Sequence, residues 1–174
     1  DVQLAAEQRS YIRYVDVLFS SETGLAELLL AGPVRVERFA LDAPDATPGT
    51  GTPVEGFAIA RLGDRLRLDW GINGITGNRM TNAGDGLYRI LVDGNADGDY
   101  ADEVDAYFEF ARILGDATGD ARVDDADWDI VNWQMGRTGP NLNGDVDGSY
   151  WVNPTLPSVT TIDRNRVTSQ KNLN

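Results

Sequence analysis

The chain has 174 residues, enough for one larger domain or two small ones around a packed core. Its 28 acidic against 15 basic residues leave a net charge of −13, which argues against nucleic acid and anionic membranes as partners, because each phosphate contact needs a cation. Cysteine and histidine are both absent, which excludes thiol catalysis, disulfides, zinc sites of the Cys/His kind and histidine-based triads.

The chain opens on "DVQLAAEQRS", a polar stretch that reads as the start of a mature or excised fragment rather than a signal peptide. "RSYIRYVDVLF" then alternates Tyr11, Arg13, Val15, Val17 and Phe19 against Ile12, Tyr14, Asp16 and Leu18, with bulk on both faces, as in a strand of a sandwich. "SETGLAELLLAG" predicts a short helix capped by Ser21 and stopped by Gly32. Strands are expected in "PVRVERFAL", "GFAIARL", "RLRLDW" and "GLYRILVD", separated by turn signals at 42–53, Gly63-Asp64 and 82–86. "AYFEFARIL" is the connecting strand or helix. Short strands with Gly, Pro and Asp turns predict an immunoglobulin-like β-sandwich over residues 1–112. The fold class expected is therefore mainly β with a small α module, the latter over residues 113–174.

Beyond Asp93 the strand periodicity gives way to acidic loops. Residues 93–129 hold thirteen Asp or Glu against Arg112 and Arg122 alone, a balance that fits disorder or cation binding. Interleaved Tyr107, Phe108, Phe110, Ile113, Val123 and Trp128 make disorder the weaker choice. In "GDATGDARVDDADWDIVNWQMG" the spacing matches an EF-hand loop that starts at Asp116. Asp116, Thr118 and Asp120 fill positions 1, 3 and 5, Arg122 offers its carbonyl at 7, Asp124 stands at 9 and Asp127 closes at 12. Calcium wants six to eight hard oxygens, and a tight loop can aim alternate groups inward while Val123 anchors to the core. Ala121 and Asp127 stand where that loop usually has Gly and Glu.

The pattern returns with Asp145, Asp147 and Ser149 at positions 1, 3 and 5 and the Trp151 carbonyl at 7. "NPTLPS" then interrupts, and "VTTIDRNRVT" resumes the register of "VDDADWDIVN", pairing Val159 with Val123, Asp163 with Asp127 and Val167 with Val131. An outward-bulging insert with Asp163 still closing the ring is the expectation. A third candidate, "DGNADGDYADEVD", places Asp93, Asn95, Asp97 and Asp99 at positions 1, 3, 5 and 7, with Asp102, Glu103 or Asp105 as closing ligand. That segment reads equally as an Asx turn. The bland alternative for every loop is a solvated acidic turn; the duplication favours two calcium ions, and the loop from Asp93 offers a third site that reads equally as a turn.

Two calcium loops, each followed by one helix, resemble a type I dockerin. The residues that carry the likeness are "GDATGDARVDDADWDIVNWQMG" and "GDVDGSYWVN…TTIDRNRVTSQ", about the last third of the chain. "YRILVDGNADGDY…FARILGD" resembles the sandwich-to-dockerin junction of large secreted bacterial proteins of planctomycete type. The resemblance implies a noncatalytic module that folds on calcium and docks onto a cohesin-like or other cell-surface protein. It implies an extracellular location, and contact through Asp125-Ala126 and Thr161-Ile162, of which only Thr161 carries the small hydroxyl usual there. The competing expectation is a calcium-stabilised carbohydrate-binding sandwich of a larger secreted enzyme, with Trp70, Tyr88 and Trp151 as sugar platforms, although aromatics in a sandwich are more often core. Catalysis by a carboxylate pair is not expected, because the acids are better explained as ligands or turns.

Overall fold

A computed structural model of the chain describes residues 10–19, 34–41, 47–75, 80–95, 97–100, 106–139 and 142–171. The helix expected over 21–32 lies outside them, as do residues 42–46 and the three acids 102, 103 and 105 proposed to close the third loop. The protein is mainly β with a small α part, and it divides into two compact units. Among the described residues, no helix is long and apolar enough to cross a membrane.

The described part of the first unit covers residues within Tyr14–Trp70 and Gly86–Ala111. One sheet has three strands in the order β1 (Tyr14–Leu18), β5 (Arg65–Asp69), β4 (Ala58–Leu62), both pairings antiparallel. The other has four, in the order β3 (Thr52–Pro53), β2 (Val34–Phe39), β6 (Gly86–Val92), β7 (Ala106–Arg112). The Gly63-Asp64 turn joins β4 to β5, and the pairing Leu62↔Arg65 closes that hairpin. "AYFEFARIL" accordingly forms a strand rather than a helix.

Alternation explains which face is buried. Val15 and Val17 of β1 pair with Leu68 and Leu66 of β5, and all four are buried. The opposite face carries Asp16, which receives two hydrogen bonds of 2.7 Å from Arg67. In β2 the alternation is irregular because Glu37 is fully buried: its Oε2 accepts from the Gly49 and Gly51 amides, and its Oε1 pairs with Arg35 at 2.8 Å. A strand residue that reads as exposed thus anchors the connection into β3. Strand β6 is buried along most of its length; Arg89 pairs there with Glu109 of β7 and lies over the Phe39 ring.

The second unit combines the described residues of Glu7–Arg13, Gly71–Asp85 and Arg112–Asn174. It contains helix α1 (Asp125–Gln134), a single turn α2 (Ser149–Val152) and α3 (Thr161–Lys171). Arg112 ties its segments together from a fully buried position. Nε donates to the Ser10 carbonyl at 2.7 Å, Nη1 donates to the Thr81 carbonyl at 3.0 Å, and the guanidinium pairs with Asp85. Asp85 also accepts from the Leu114 amide at 2.9 Å. Burial pushes the Asp85 carboxyl above its ordinary range, and the facing Arg112 opposes that rise. The chain is therefore clamped one residue before Gly115, where the first acidic loop begins.

Candidate metal centre

The two duplicated acidic loops are seated by one small core. Ile113, Ala117, Val123, Val131, Val146, Val159 and Val167 form one buried cluster, against which Trp128, Ile130 and Leu142 pack. Six of the seven are three equivalent pairs: Ala117 with Val146, Val123 with Val159, Val131 with Val167. The glycines before the loops complete this duplication. A Cβ on Gly115 would meet Val123 Cγ1 at 3.3 Å and the Val167 backbone at 3.5 Å; one on Gly144 would meet Val159 Cγ1 at 3.2 Å and the Val131 backbone at 3.1 Å. Each loop thus rests on its own valine and on the helix that follows the other loop, a close approach that favours glycine at both places, reinforced at Gly115 by its φ of +100°.

In the first loop, Asp116 is fully buried at position 1. Its Oδ1 accepts from the Gly119 amide at 2.6 Å and its Oδ2 from the Ala121 amide at 3.0 Å. Asp127 is also fully buried, in the first turn of α1. Its Oδ1 accepts from the Ala117 and Thr118 amides at 2.7 and 2.9 Å, and Oδ2 accepts from the Asp124 amide at 2.8 Å. Asp124 in turn caps the helix by accepting from Ala126 N at 2.8 Å, so Asp124 and Asp127 make a reciprocal capping box. Thr118 Oγ1 stands between the two buried acids, 3.3 Å from Asp116 Oδ1 and 3.1 Å from Asp127 Oδ1. Asp120 is exposed and accepts from the Arg122 amide at 3.0 Å. Ala121 adopts φ +67°, the left-handed conformation for which EF-hand loops place glycine at position 6.

The second loop repeats part of this wiring across the insert. Asp145 Oδ1 accepts from Ser149 N at 2.8 Å and its Oδ2 from Tyr150 N at 3.0 Å. Asp163, fully buried in the first turn of α3, accepts from Asp147 N at 3.3 Å through Oδ1 and from Thr160 N at 2.8 Å through Oδ2. The last two contacts match those from Thr118 and Asp124 to Asp127. Asn153, Pro154, Thr155, Leu156 and Pro157 are exposed, and Ser158 returns buried, its carbonyl accepting from Ser149 Oγ at 2.8 Å. Trp151, expected to offer its carbonyl, falls in the short helix α2.

Asp145, Asp147 and Asp163 each bring one carboxylate oxygen to within 4.8 Å of the others, and this trio could hold a metal ion. It is the one such group among the described residues. Asp147 is 3% exposed and Asp163 0%, so water does little to screen their repulsion. Burial is the main cause that pushes Asp145 up to about 6, with the Asp147 charge adding to it and the Tyr150 and Ser149 amides opposing. Asp163 also rises to about 6, through burial first and the Asp147 charge second. Asp116 is raised for the same leading reason, against the Gly119 and Ala121 amides.

The third loop leaves β6 at Asp93, which is 3% exposed. Asp93 accepts from the Asp97 amide at 3.3 Å and the Gly98 amide at 2.8 Å; Asn95 accepts from Asp97 N at 3.2 Å, and Asp97 from Asp99 N at 2.8 Å. The last two are contacts between residues two apart, the signature of an Asx turn. Trp70 and Tyr88 do not face solvent: they are 8% and 1% exposed, Trp70 tilted against Phe57 at 5.3 Å and Tyr88 stacked on Phe110 at 5.5 Å.

Two residues at the second ring lie outside the ligand set that the loop spacing predicts. Thr160 holds Asp163 through both its amide and its hydroxyl, and a Thr three residues before an Asp at a helix start is a capping-box signal that could have found it. Arg166 approaches Asp147 at 3.3 Å, and nothing in its spacing from Asp147 announces that. No protein-family model, curated protein or solved structure matches the chain.

Proposed function

We propose that residues 115–171 form a noncatalytic, calcium-stabilised module of dockerin-like organisation that follows an immunoglobulin-like sandwich and attaches an exported parent protein to a partner at a cell surface. One observation carries the calcium reading: in both loops the position-6 amide (Ala121, Tyr150) reaches the first carboxylate and the position-3 amide (Thr118, Asp147) reaches the last, and in the second loop three carboxylate oxygens come within 4.8 Å of one another. Buried carboxylates that repel one another and whose pKa values rise are destabilised when ionised, and a divalent cation removes that cost at neutral pH. The oxygen-only donor set favours a hard ion, and the loop spacing favours calcium over magnesium, which demands a tighter octahedron. A core built from residues no larger than isoleucine leaves the ion a structural task.

The attachment reading is supported by the exposed apolar residues of this unit: Trp133 is 66% exposed, Ile162 51% and Leu156 57%. Ile162 belongs to the contact pair that the dockerin likeness suggests.

Isothermal titration calorimetry of the full chain tests the core of this reading. Calcium is expected to bind both duplicated loops, Asp163→Asn is expected to abolish the second event, and Asp127→Asn the first. Absence of any heat up to millimolar calcium, in a chain shown to be folded, sinks it.

A further inference from the structure

Helix α3 sets one basic side chain against the second ring. Arg166 follows Asp163 by three residues but turns to Asp147, its Nη1 lying 3.3 Å from Asp147 Oδ2. That distance pairs the charges, although the two groups are not aligned as a hydrogen bond. The Arg166 side chain is 13% exposed and that of Asp147 4%, so the pair sits largely out of water. The other arm of the guanidinium, Nη2, rests on Met80 Sδ at 3.1 Å. A thioether is a weak acceptor and holds the arm without neutralising it. At the matching place in the first loop stands Ile130, which packs on the core instead.

We infer that Arg166 is an inbuilt counter-charge that sets the affinity of the second ring and its preference for divalent over trivalent ions. The inference rests on the cation-binding reading of that ring and adds to it a residue that lowers affinity. Three carboxylates less one guanidinium leave two negative charges, the complement of a divalent ion. Asp147 Oδ1 accepts from Ser149 N at 2.9 Å, and the guanidinium lies against the other oxygen of the same carboxylate, Oδ2. An arriving cation must share that carboxylate with the guanidinium and sit near its charge. The opposition scales with the charge of the ion, so it penalises a trivalent ion half again as strongly, in free energy, as a divalent one.

The test is a calcium and a terbium titration of the full chain followed by amide NMR. Gly148 and Ser149 report the second loop and Gly119 and Ala121 the first, so each ring has its own curve. Arg166→Gln and Arg166→Met, the latter keeping the packing of the stem, are expected to tighten calcium at the second loop about tenfold and terbium about thirtyfold. Arg166→Lys, which keeps the charge, is expected to stay within about twofold of the parent, and the first loop is expected not to change in any variant. Equal or weaker calcium binding at the second loop in both neutral variants overturns the role of Arg166 while leaving the ring intact. If the parent chain binds no ion at the second loop, the cation reading itself fails and takes this inference with it.

Discussion

The two duplicated loops solve one electrostatic problem with different chemistry. Both bury the last acid of the loop; in both, the first acid accepts from the amide five residues on and the last acid from the amide at position 3. In the first, position 3 is Thr118, whose hydroxyl lies between Asp116 and Asp127 and can donate to either. In the second, position 3 is Asp147, which has no proton to lend when ionised and leans on Arg166 instead. The loop whose sequence reads as the more regular is therefore the one that gathers fewer carboxylates. Regular spacing along the chain reports how a loop turns; the residue at one inward position decides how much charge it concentrates.

The largest expected difference between the loops appears on removing calcium. At about a hundredfold excess over Kd, each bound ion stabilises by about 2.7 kcal/mol, which for a unit of this size is a Tm loss of about 10–20 °C per site on chelation. Hydrogen exchange in EDTA is expected to show the amides of Ser149 and Tyr150 losing protection before those of Gly119 and Ala121. The opposite order breaks the comparison.

The pH dependence of the calcium-free form comes next. Asp145 and Asp163 rise from 3.8 to about 6, so the folded state binds protons more tightly than the unfolded one. Their contribution to stability is present below about 4 and is lost as the pH climbs through about 6. Urea unfolding in EDTA is expected to give a higher midpoint at pH 4.5 than at pH 7, and calcium is expected to narrow or reverse the gap. A midpoint that climbs steadily from pH 4.5 to 7 without calcium contradicts the buried ring.

Thr118→Val keeps the shape of the first loop and removes its hydroxyl. It is expected to cost about 1 kcal/mol in EDTA and to weaken calcium at that loop, with the second loop unmoved. The smallest effect is expected from Ala121→Gly, which relieves a left-handed alanine and should stabilise by about 0.5–1 kcal/mol in denaturant melts. A loss of stability there would mean that the +67° conformation is not what the folded loop adopts.

Much of this was legible from residue spacing. The strands in "GFAIARL", "RLRLDW" and "GLYRILVD", the turn at Gly63-Asp64 and the alignment of Val159 and Val167 with Val123 and Val131 all follow from periodicity. Asp163 meets Asp145 and Asp147 across the insert because the valines on either side of it share one core, and the downstream match exposed that register. Long-range partners were not legible. Glu37 reads as a solvent-facing strand residue, yet it is buried to hold the Gly49 and Gly51 amides. Arg166 reads as one more polar helix position, and only the fold turns it toward Asp147. Trp70 and Tyr88 look the same in sequence whether they line a surface or fill an interior.

The crossed packing of Gly115 and Gly144 bears on how the second unit can be divided. Because each loop leans on the helix belonging to its sibling, a fragment that stops after Met135 keeps a first loop without the valine floor that Val167 supplies. Such a half keeps only Ile113, Ala117, Val123 and Val131 of the shared core.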